Sequence, residues 1–551
     1  MLDFKATDMK KVLKQFKIKE TVFALGLLTL VCVSSCKKFT DLNPKSALSE
    51  SSAFSTPANI ELAMVGVYNT ATVGSYNGGA GRGYPFGAAS IIQAEMRGED
   101  MVNLASFYQI TYESTITSST ANNINMWSNL YALINQCNVV IDGVTEAAAK
   151  GTIPTSVANK YAAESRFLRA LAFHELVIDF CRPYVDGNGN KPGVPYRTVG
   201  VNSVDKVQDQ LKVPRGTVAE DYAQILADLD FAEENLPANT AGAGFTRATK
   251  GAAIAFKTRV KLHMNDFAGV ITEGAKLGTS APAGPFTSPI SNYTLTASPD
   301  GPFVSYKNNS ESIFSIENGP ASNGDVNGAL PNMFGPAANA LNGQVGRNLV
   351  ATSPNLYNAA FWINNDSRRT LLQIQQTTVG AKYYFNYKYR EPATSSDYAP
   401  IIRYAEVLLN VAEAYSRTAA LDTRALNLLN AVRNRAVPVA SQYTIANFTN
   451  QNALTQAILN ERRIEFAGEG RRWPDITRLS QDPTFQVAGG GVPAKILVTA
   501  LNGSGSNWDV INRPVTLAAK GALPYSDFHY IWPIPQDELN ANPVIAQNPG
   551  Y

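Results

Sequence analysis

The chain has 551 residues with 47 basic and 45 acidic side chains, a formal charge of +2. A balance this close to neutral excludes the broad basic footprint of a nucleic-acid-binding protein, and its length permits a sizeable core and about two to four domains. Four cysteines and three histidines, at spacings that match no zinc motif, make no ordinary structural metal site.

The chain opens on a basic stretch, Lys10, Lys11, Lys14, Lys17 and Lys19, followed by an apolar run from Val22 to Val33 and then Ser34, Ser35 and Cys36. Basic, apolar and small residues in that order describe a secretory signal over residues 1–35, with Met9 as an alternative start. The run falls short of the roughly 20 apolar residues that span a bilayer. Val33-Ser34-Ser35-Cys36 resembles the bacterial lipobox, in which the cysteine is acylated and becomes the first mature residue. An ordinary signal, or a buried helix with a chance cysteine, is the plainer reading. Acylation at Cys36 makes the chain anchored rather than spanning, and several acyl chains give the stable hold that one does not. Without residues 1–35 the chain stays near neutral.

Helical periodicity then recurs. A helix is expected around Trp127–Thr145. Phe167, Ala170, Leu171, Val177 and Ile178 mark the next, which stops before Pro183. Tyr222, Ile225, Leu226, Leu229 and Leu236 outline a third, ending before Pro237, and a fourth is expected at Lys250–Met264. Tyr404, Val407, Leu408, Val411, Ala412 and Tyr415 fall at i, i+3, i+4, i+7, i+8 and i+11, one face of a helix, with Glu413 and Arg417 four apart on its solvent side. Further helices are expected at Thr423–Arg435 and Ala453–Ala467. Short polar breaks join these helices into pairs whose apolar faces must stack on neighbours, although no strict 34-residue repeat appears. Cys137 and Cys181 lie at or beside helical stretches and read as two buried thiols. One disulfide is the alternative in an oxidising compartment.

Residues 72–90 and 272–400 are rich in Gly, Ser, Asn, Pro and Tyr. Strand-like pieces there are short, Ile313–Ile316 and Lys382–Tyr389, the latter with Tyr383, Phe385, Tyr387 and Tyr389 alternating onto one face. Long irregular segments in a compact protein are usually functional. The layout is a helical scaffold carrying a loop-rich binding surface.

Six segments in order carry a family resemblance. Phe39-Thr40-Asp41-Leu42-Asn43-Pro44 follows the lipobox. Trp127 to Asp142 contains Tyr131-Ala132-Leu133-Ile134-Asn135-Gln136-Cys137-Asn138, and Glu164 to Phe180 follows. Then come Arg403 to Tyr415, Glu461 to Trp473, and a tail with Pro533-Ile534-Pro535-Gln536 and Gln547-Asn548-Pro549-Gly550-Tyr551. Together they resemble the SusD/RagB family of outer-membrane nutrient-binding lipoproteins from Bacteroidetes over nearly the whole mature chain. Gly468 and Pro474 stand where that family often has aromatics, and Lys37 and Lys38 stand where surface-exported relatives often carry acids.

The resemblance implies a mostly α fold, with eight helices in four tetratricopeptide-like pairs supporting an irregular subdomain. It implies one domain over 36–551: a helical part at about 36–270, a loop-rich insertion at about 272–400 and a C-terminal region at about 401–551. It further implies a non-catalytic binding protein without cofactor, anchored in the outer membrane and facing the exterior, whose partner is a SusC/RagA-like TonB-dependent transporter.

Glu461 and Glu465, four apart on one helical face, were they catalytic, would suit glycoside hydrolysis. Arg462, Arg463, Arg471, Arg472 and Arg478 lie close in sequence, and carboxylates on an apolar stripe beside arginines read instead as a buried ion-pair network. His174 sits on an apolar face as a satisfied core histidine, and neither His263 nor His529 has ligand spacing. The Gly78–Gly83 stretch breaks the phosphate-loop pattern. Trp127, Trp473 and Trp532 belong to the scaffold. The candidate ligand contacts are the loop residues Tyr76, Arg82, Tyr84, Phe107 and Tyr108, with Phe334, Tyr357 and Trp362 from the later region, since aromatic rings pack on the C–H faces of sugars. The alternative for each is packing of the irregular subdomain. A glycan is the leading ligand class. A peptide is the alternative within binding proteins, and a surface glycoside hydrolase or a helical adaptor the alternatives outside it.

Overall fold

The computed structural model describes residues 50–74, 83–239, 244–337, 345–376, 383–501, 507–512, 517 and 519–551. The chain divides into two compact units, Met1–Ile60 and Glu61–Tyr551. In the first, the described residues form a helical turn at Glu50–Ala53 and the opening of helix α1, Pro57–Val73.

In the second unit α2, Ala88–Arg97, follows α1. Eight helices of ten or more residues then come in order: α3 Ala121–Ala149, α4 Thr155–Phe180, α5 Val218–Asn235, α6 Lys250–His263, α7 Phe267–Lys276, α8 Tyr404–Thr418, α9 Thr423–Arg433 and α10 Gln451–Glu465. Each packs on the next, so every apolar face is covered by a neighbour, as helix-pair stacking requires. A short α11, Arg472–Arg478, packs back on α2. The fold is mostly α.

Local chemistry sets the helix starts. Thr217 Oγ1 accepts from Glu220 N at 3.2 Å while Glu220 Oε2 accepts from Thr217 N at 2.7 Å, a capping box that opens α5. Thr249, Asp266, Asp422 and Asn450 cap α6, α7, α9 and α10 in the same sense. Such caps are each worth about 1 kcal/mol.

Three helical expectations change. Helix α4 is buried on nearly every side rather than on one face, because α3 and α5 cover it from both flanks. Glu413 of α8 faces no solvent: it is fully buried and accepts from Arg478 at 2.7 Å and Arg417 at 3.2 Å. Helix α7 occupies the start of the stretch expected to be irregular from residue 272, opened by Asp266, whose Oδ1 accepts from Gly269 N at 2.8 Å.

Ten short strands pair as five two-stranded antiparallel ribbons among the described residues: β1 Met101–Asn103, β2 Pro192–Pro195, β3 Arg215–Thr217, β4 Ser312–Ile316, β5 Val350–Thr352, β6 Gln373–Gln375, β7 Tyr384–Asn386, β8 Ala399–Arg403, β9 Lys495–Ile496 and β10 Ala519–Lys520. The pairs are β1–β5, β2–β3, β4–β8, β6–β7 and β9–β10. The expected strand at Ile313–Ile316 lies within β4. The one at Lys382–Tyr389 is shorter than expected, and Lys382 lies outside the described residues. Tyr383, Phe385 and Tyr387 still share a face, against Ala351 and Ile374.

Cys137 and Cys181 are free and buried, and burial pushes the Cys181 thiol up to about 12. His174 is a core histidine packed on Tyr222, Phe256 and His263, but it is not satisfied. Neither ring nitrogen has a hydrogen-bond partner among the described residues, and burial lowers its pKa to about 3, which keeps the ring neutral. Trp127, Trp473 and Trp532 are core residues, with the Arg97 guanidinium 3.8 Å from the Trp473 ring centroid. Gly468 has φ +79°, and a Cβ there would meet Asn386 Nδ2 at 2.3 Å. The Asn386 amide, donating to Ala467 O at 2.8 Å, fills the space an aromatic would need.

Candidate functional site

Two arrangements could carry chemistry, and the first is closed. Glu465 is 1 % exposed. It accepts from Arg435 at 2.6 Å and from Arg403 and Arg368 at 3.0 Å each. Glu461 accepts from Arg368 at 2.7 Å and Arg433 at 3.1 Å. Arg403 also binds Glu469 at 2.8 Å and pairs with Glu311. Burial alone would raise the Glu465 carboxyl, but Arg435, Arg403 and Arg368 outweigh it and hold it at about 2. A general acid needs a raised pKa and an open approach, and Glu465 has neither.

The partners of Glu461 and Glu465 are therefore not the five arginines nearest in sequence. Arg462 and Arg478 bind Asp475 at 2.9 and 2.8 Å. Arg463 pairs with Asp100, and Arg472 donates to Glu99 at 3.1 Å. Arg471 is buried and forms no ion pair among the described residues, and burial lowers its pKa. A helix turns the side chains at 461 and 465 to one side and those at 462 and 463 to others, so adjacency in sequence works against pairing. Arg403, which opens the segment Arg403–Tyr415, is the signal that could have pointed to the true partner.

The second arrangement is open. Ribbon β1–β5 pairs Met101 with Thr352, Val102 with Ala351 and Asn103 with Val350, and Leu104 N donates to Leu349 O at 2.8 Å. Chain leaving β1 and chain entering β5 therefore emerge at the same end. Phe107 emerges on one side, 43 % exposed, and Arg347 on the other, its guanidinium 4.9 Å from the Phe107 ring centroid. Arg347 Nη1 donates to Asn327 Oδ1 at 2.9 Å, which leaves Nε and Nη2 without an acceptor among the described residues. Ile110, Val326 and Val345 are exposed beside these segments in sequence. The loop leading to α2 is drawn to the same region: Gly83 has φ +88°, and a Cβ there would meet Gly328 O at 2.8 Å. An aromatic ring backed by a guanidinium with spare donors suits a ligand with apolar faces and hydroxyl acceptors.

Of the expected site residues, the lipidation candidate Cys36 and the contacts Tyr76 and Arg82 lie outside the described residues. Phe107 is at the platform. Tyr84, Tyr108, Phe334, Tyr357 and Trp362 are buried, and four of them have a visible packing reason. Tyr84 Oη accepts from Gln93 at 3.0 Å. Phe334 packs on Tyr389 at 5.6 Å, and the Arg369 guanidinium lies 4.4 Å from Trp362 and 4.7 Å from Tyr357. These rings cannot meet a ligand without opening the fold. Sequence reasoning missed Arg347, because β1 and β5 are about 250 residues apart and nothing local announces their pairing.

Comparison with known proteins places this geometry among relatives. A family model of the SusD family matches residues 357–551, and a SusD-like model described as "Starch-binding associating with outer membrane" matches residues 38–262. SusD-like protein P2 of Formosa agariphila is 25% identical over 509 residues, 85% of this chain and 91% of its own length. A SusD superfamily protein from Bacteroides fragilis matches with a TM-score of 0.70 at 25% identity, over 89% of this chain and 99% of that one. A laminarin-binding SusD-like protein matches with a TM-score of 0.62 at 22% identity, over 90% of this chain and 100% of that one.

Proposed function

This chain belongs to the SusD/RagB family, and from that premise we propose that it is a surface lipoprotein that binds an oligosaccharide or polysaccharide and delivers it to a SusC-like TonB-dependent transporter, without catalysis. Cys36 carries the lipid, the anchor sits in the outer membrane, and the loop surface faces outward. The observation that carries the reading is the exposed Phe107–Arg347 platform on a SusD scaffold. The description of the family model as starch-binding and the laminarin-binding relative support a glycan as ligand. An aromatic ring offers its face to pyranose C–H groups, and a guanidinium with free N–H groups donates to hydroxyls.

Two experiments test this. Cys36→Ala should abolish lipid labelling and release the protein from the membrane fraction; unchanged retention would sink the anchor. Native gels cast with a panel of polysaccharides should retard the protein and yield no shortened product. Retardation by none, with capture of oligopeptides instead, would move the reading to peptide uptake, and any product would make the protein a hydrolase.

A further inference from the structure

We propose that the cleft between α1 and the β4–β8 ribbon is a second ligand site, one that holds one or two rings of a neutral oligosaccharide. It rests on the reading of the protein as a saccharide binder and adds a site apart from the Phe107 platform. The cleft measures about 340 Å³ and is lined by Tyr68 and Thr72 of α1, Arg247, Lys307, Glu317 and Tyr398. That is the lower end of the range of ligand pockets, roughly 300–1,000 Å³, and suits a ring or two rather than a chain.

The aromatic walls are fixed in advance. Tyr68 Oη donates to Glu164 Oε2 and accepts from Ala248 N, both at 2.9 Å. Arg247 lies 4.9 Å from the Tyr68 ring centroid and is itself held by Glu164 at 2.6 Å and Glu61 at 2.8 Å. Across the cleft Tyr398 Oη donates to Glu317 Oε1 at 3.1 Å, and its ring meets Tyr306 edge-on at 5.3 Å. With both hydroxyls engaged and both rings braced, binding costs little side-chain entropy.

Charge defines the ligand class. Arg247 is shared between two carboxylates, so it presents no unpaired cation. Lys307 and Glu317 are exposed on the same cleft with opposite charges, yet they form no ion pair with each other, and Lys307 forms none with any described residue. The cleft thus holds an ammonium donor, 5.3 Å from the Tyr306 ring centroid, and a second carboxylate oxygen of Glu317, both open to solvent and not paired with each other. Adjacent hydroxyls of a neutral sugar satisfy both, accepting from one and donating to the other. A sulfated or uronic saccharide would face Glu317 with only Lys307 to offset its charge.

The test uses the full-length protein in detergent with laminarihexaose and maltohexaose as probes, and κ-carrageenan oligosaccharide as the anionic control. Calorimetry and crystal soaks are read on wild type, the double variant Lys307→Ala with Glu317→Ala, and Phe107→Ala. A neutral probe should appear in the cleft. The double variant should weaken that binding about tenfold, the loss of one or two hydrogen bonds, at an unchanged melting temperature, with Phe107→Ala leaving the cleft affinity as it was. A neutral probe bound at the platform with the cleft empty would overturn the second site and leave the functional reading standing. Cleft binding of the anionic control alone would overturn the ligand class. Wild type that binds no saccharide would overturn both.

Discussion

Arginine serves opposite ends in two regions of this protein. Around Glu465, Arg368, Arg403 and Arg435 converge on one sealed carboxylate and tie α10 to the chain before β6, to β8 and to the turn after α9. At the platform, Arg347 leans on an exposed phenylalanine, and one nitrogen of its guanidinium has partners among the described residues. The residue type is the same, so burial and the number of acceptors decide whether a guanidinium fastens the fold or faces a ligand. A buried pair is costly to break because the survivor is left charged and dry. An exposed cation–π contact is worth little to stability and leaves its donors available.

The largest effect should come from Glu465→Gln. It removes the charge that three guanidinium groups share, and breaking such a buried set costs about 3–5 kcal/mol, readable in urea unfolding. A loss below about 1 kcal/mol would mean that the arginines find other acceptors and would collapse the contrast between the regions.

Next comes pH. Glu465 and Glu99 are held at about 2 against an ordinary 4.5 by their arginines, which outweigh burial. Their folded values lie below the unfolded ones, so the stability they add is complete above about 4.5 and is lost as pH falls toward 2. Glu95 runs the other way: burial raises it to about 8, so its contribution declines as pH rises from about 4.5 to 8. Melting temperature against pH should fall on both sides, and Glu95→Gln should make the alkaline limb shallower without touching the acid one, the rest of that limb coming from Asp179 and Asp221, which burial raises to about 7. An alkaline limb of unchanged slope after that substitution would remove Glu95 as one of its sources.

At the platform the effects should fall on binding. Phe107→Ala should weaken binding of a retained polysaccharide about tenfold, near 1.4 kcal/mol, while unfolding free energy moves by less than about 0.5 kcal/mol. Arg347→Ala should be smaller still, about threefold, in line with an exposed cation–π contact of roughly 0.5–1 kcal/mol. Equal losses of stability and binding in these two variants would mean that the platform is scaffold after all.

The helical scaffold was legible because periodicity is local. The face of α8 and the runs that became α3, α5 and α6 repeat every three or four residues, a signal written within one turn of the chain. Helix α7 was missed although Phe267, Val270 and Ile271 stand at helical spacing, because Gly269 and Gly274 weaken a helical reading. The open site was half legible: composition marked both loop regions, and of the rings picked there Phe107 is the one the described structure leaves exposed. Burial of Tyr108, Phe334 and Trp362 depends on what folds over them, which composition does not record.

By itself, then, the sequence determined the mostly α class, the order of the helices, the core tryptophans and the ordered segments that resemble the SusD/RagB family. Tertiary structure alone decided which arginine meets which carboxylate, which aromatics stay outside, and that β1 and β5 bring Phe107 beside Arg347. The division follows from distance along the chain. Helix formation is settled within a few residues by hydrogen bonds from i to i−4. Ion pairs and strand ribbons join segments from tens to hundreds of residues apart, and their partners are fixed by the packing of everything between.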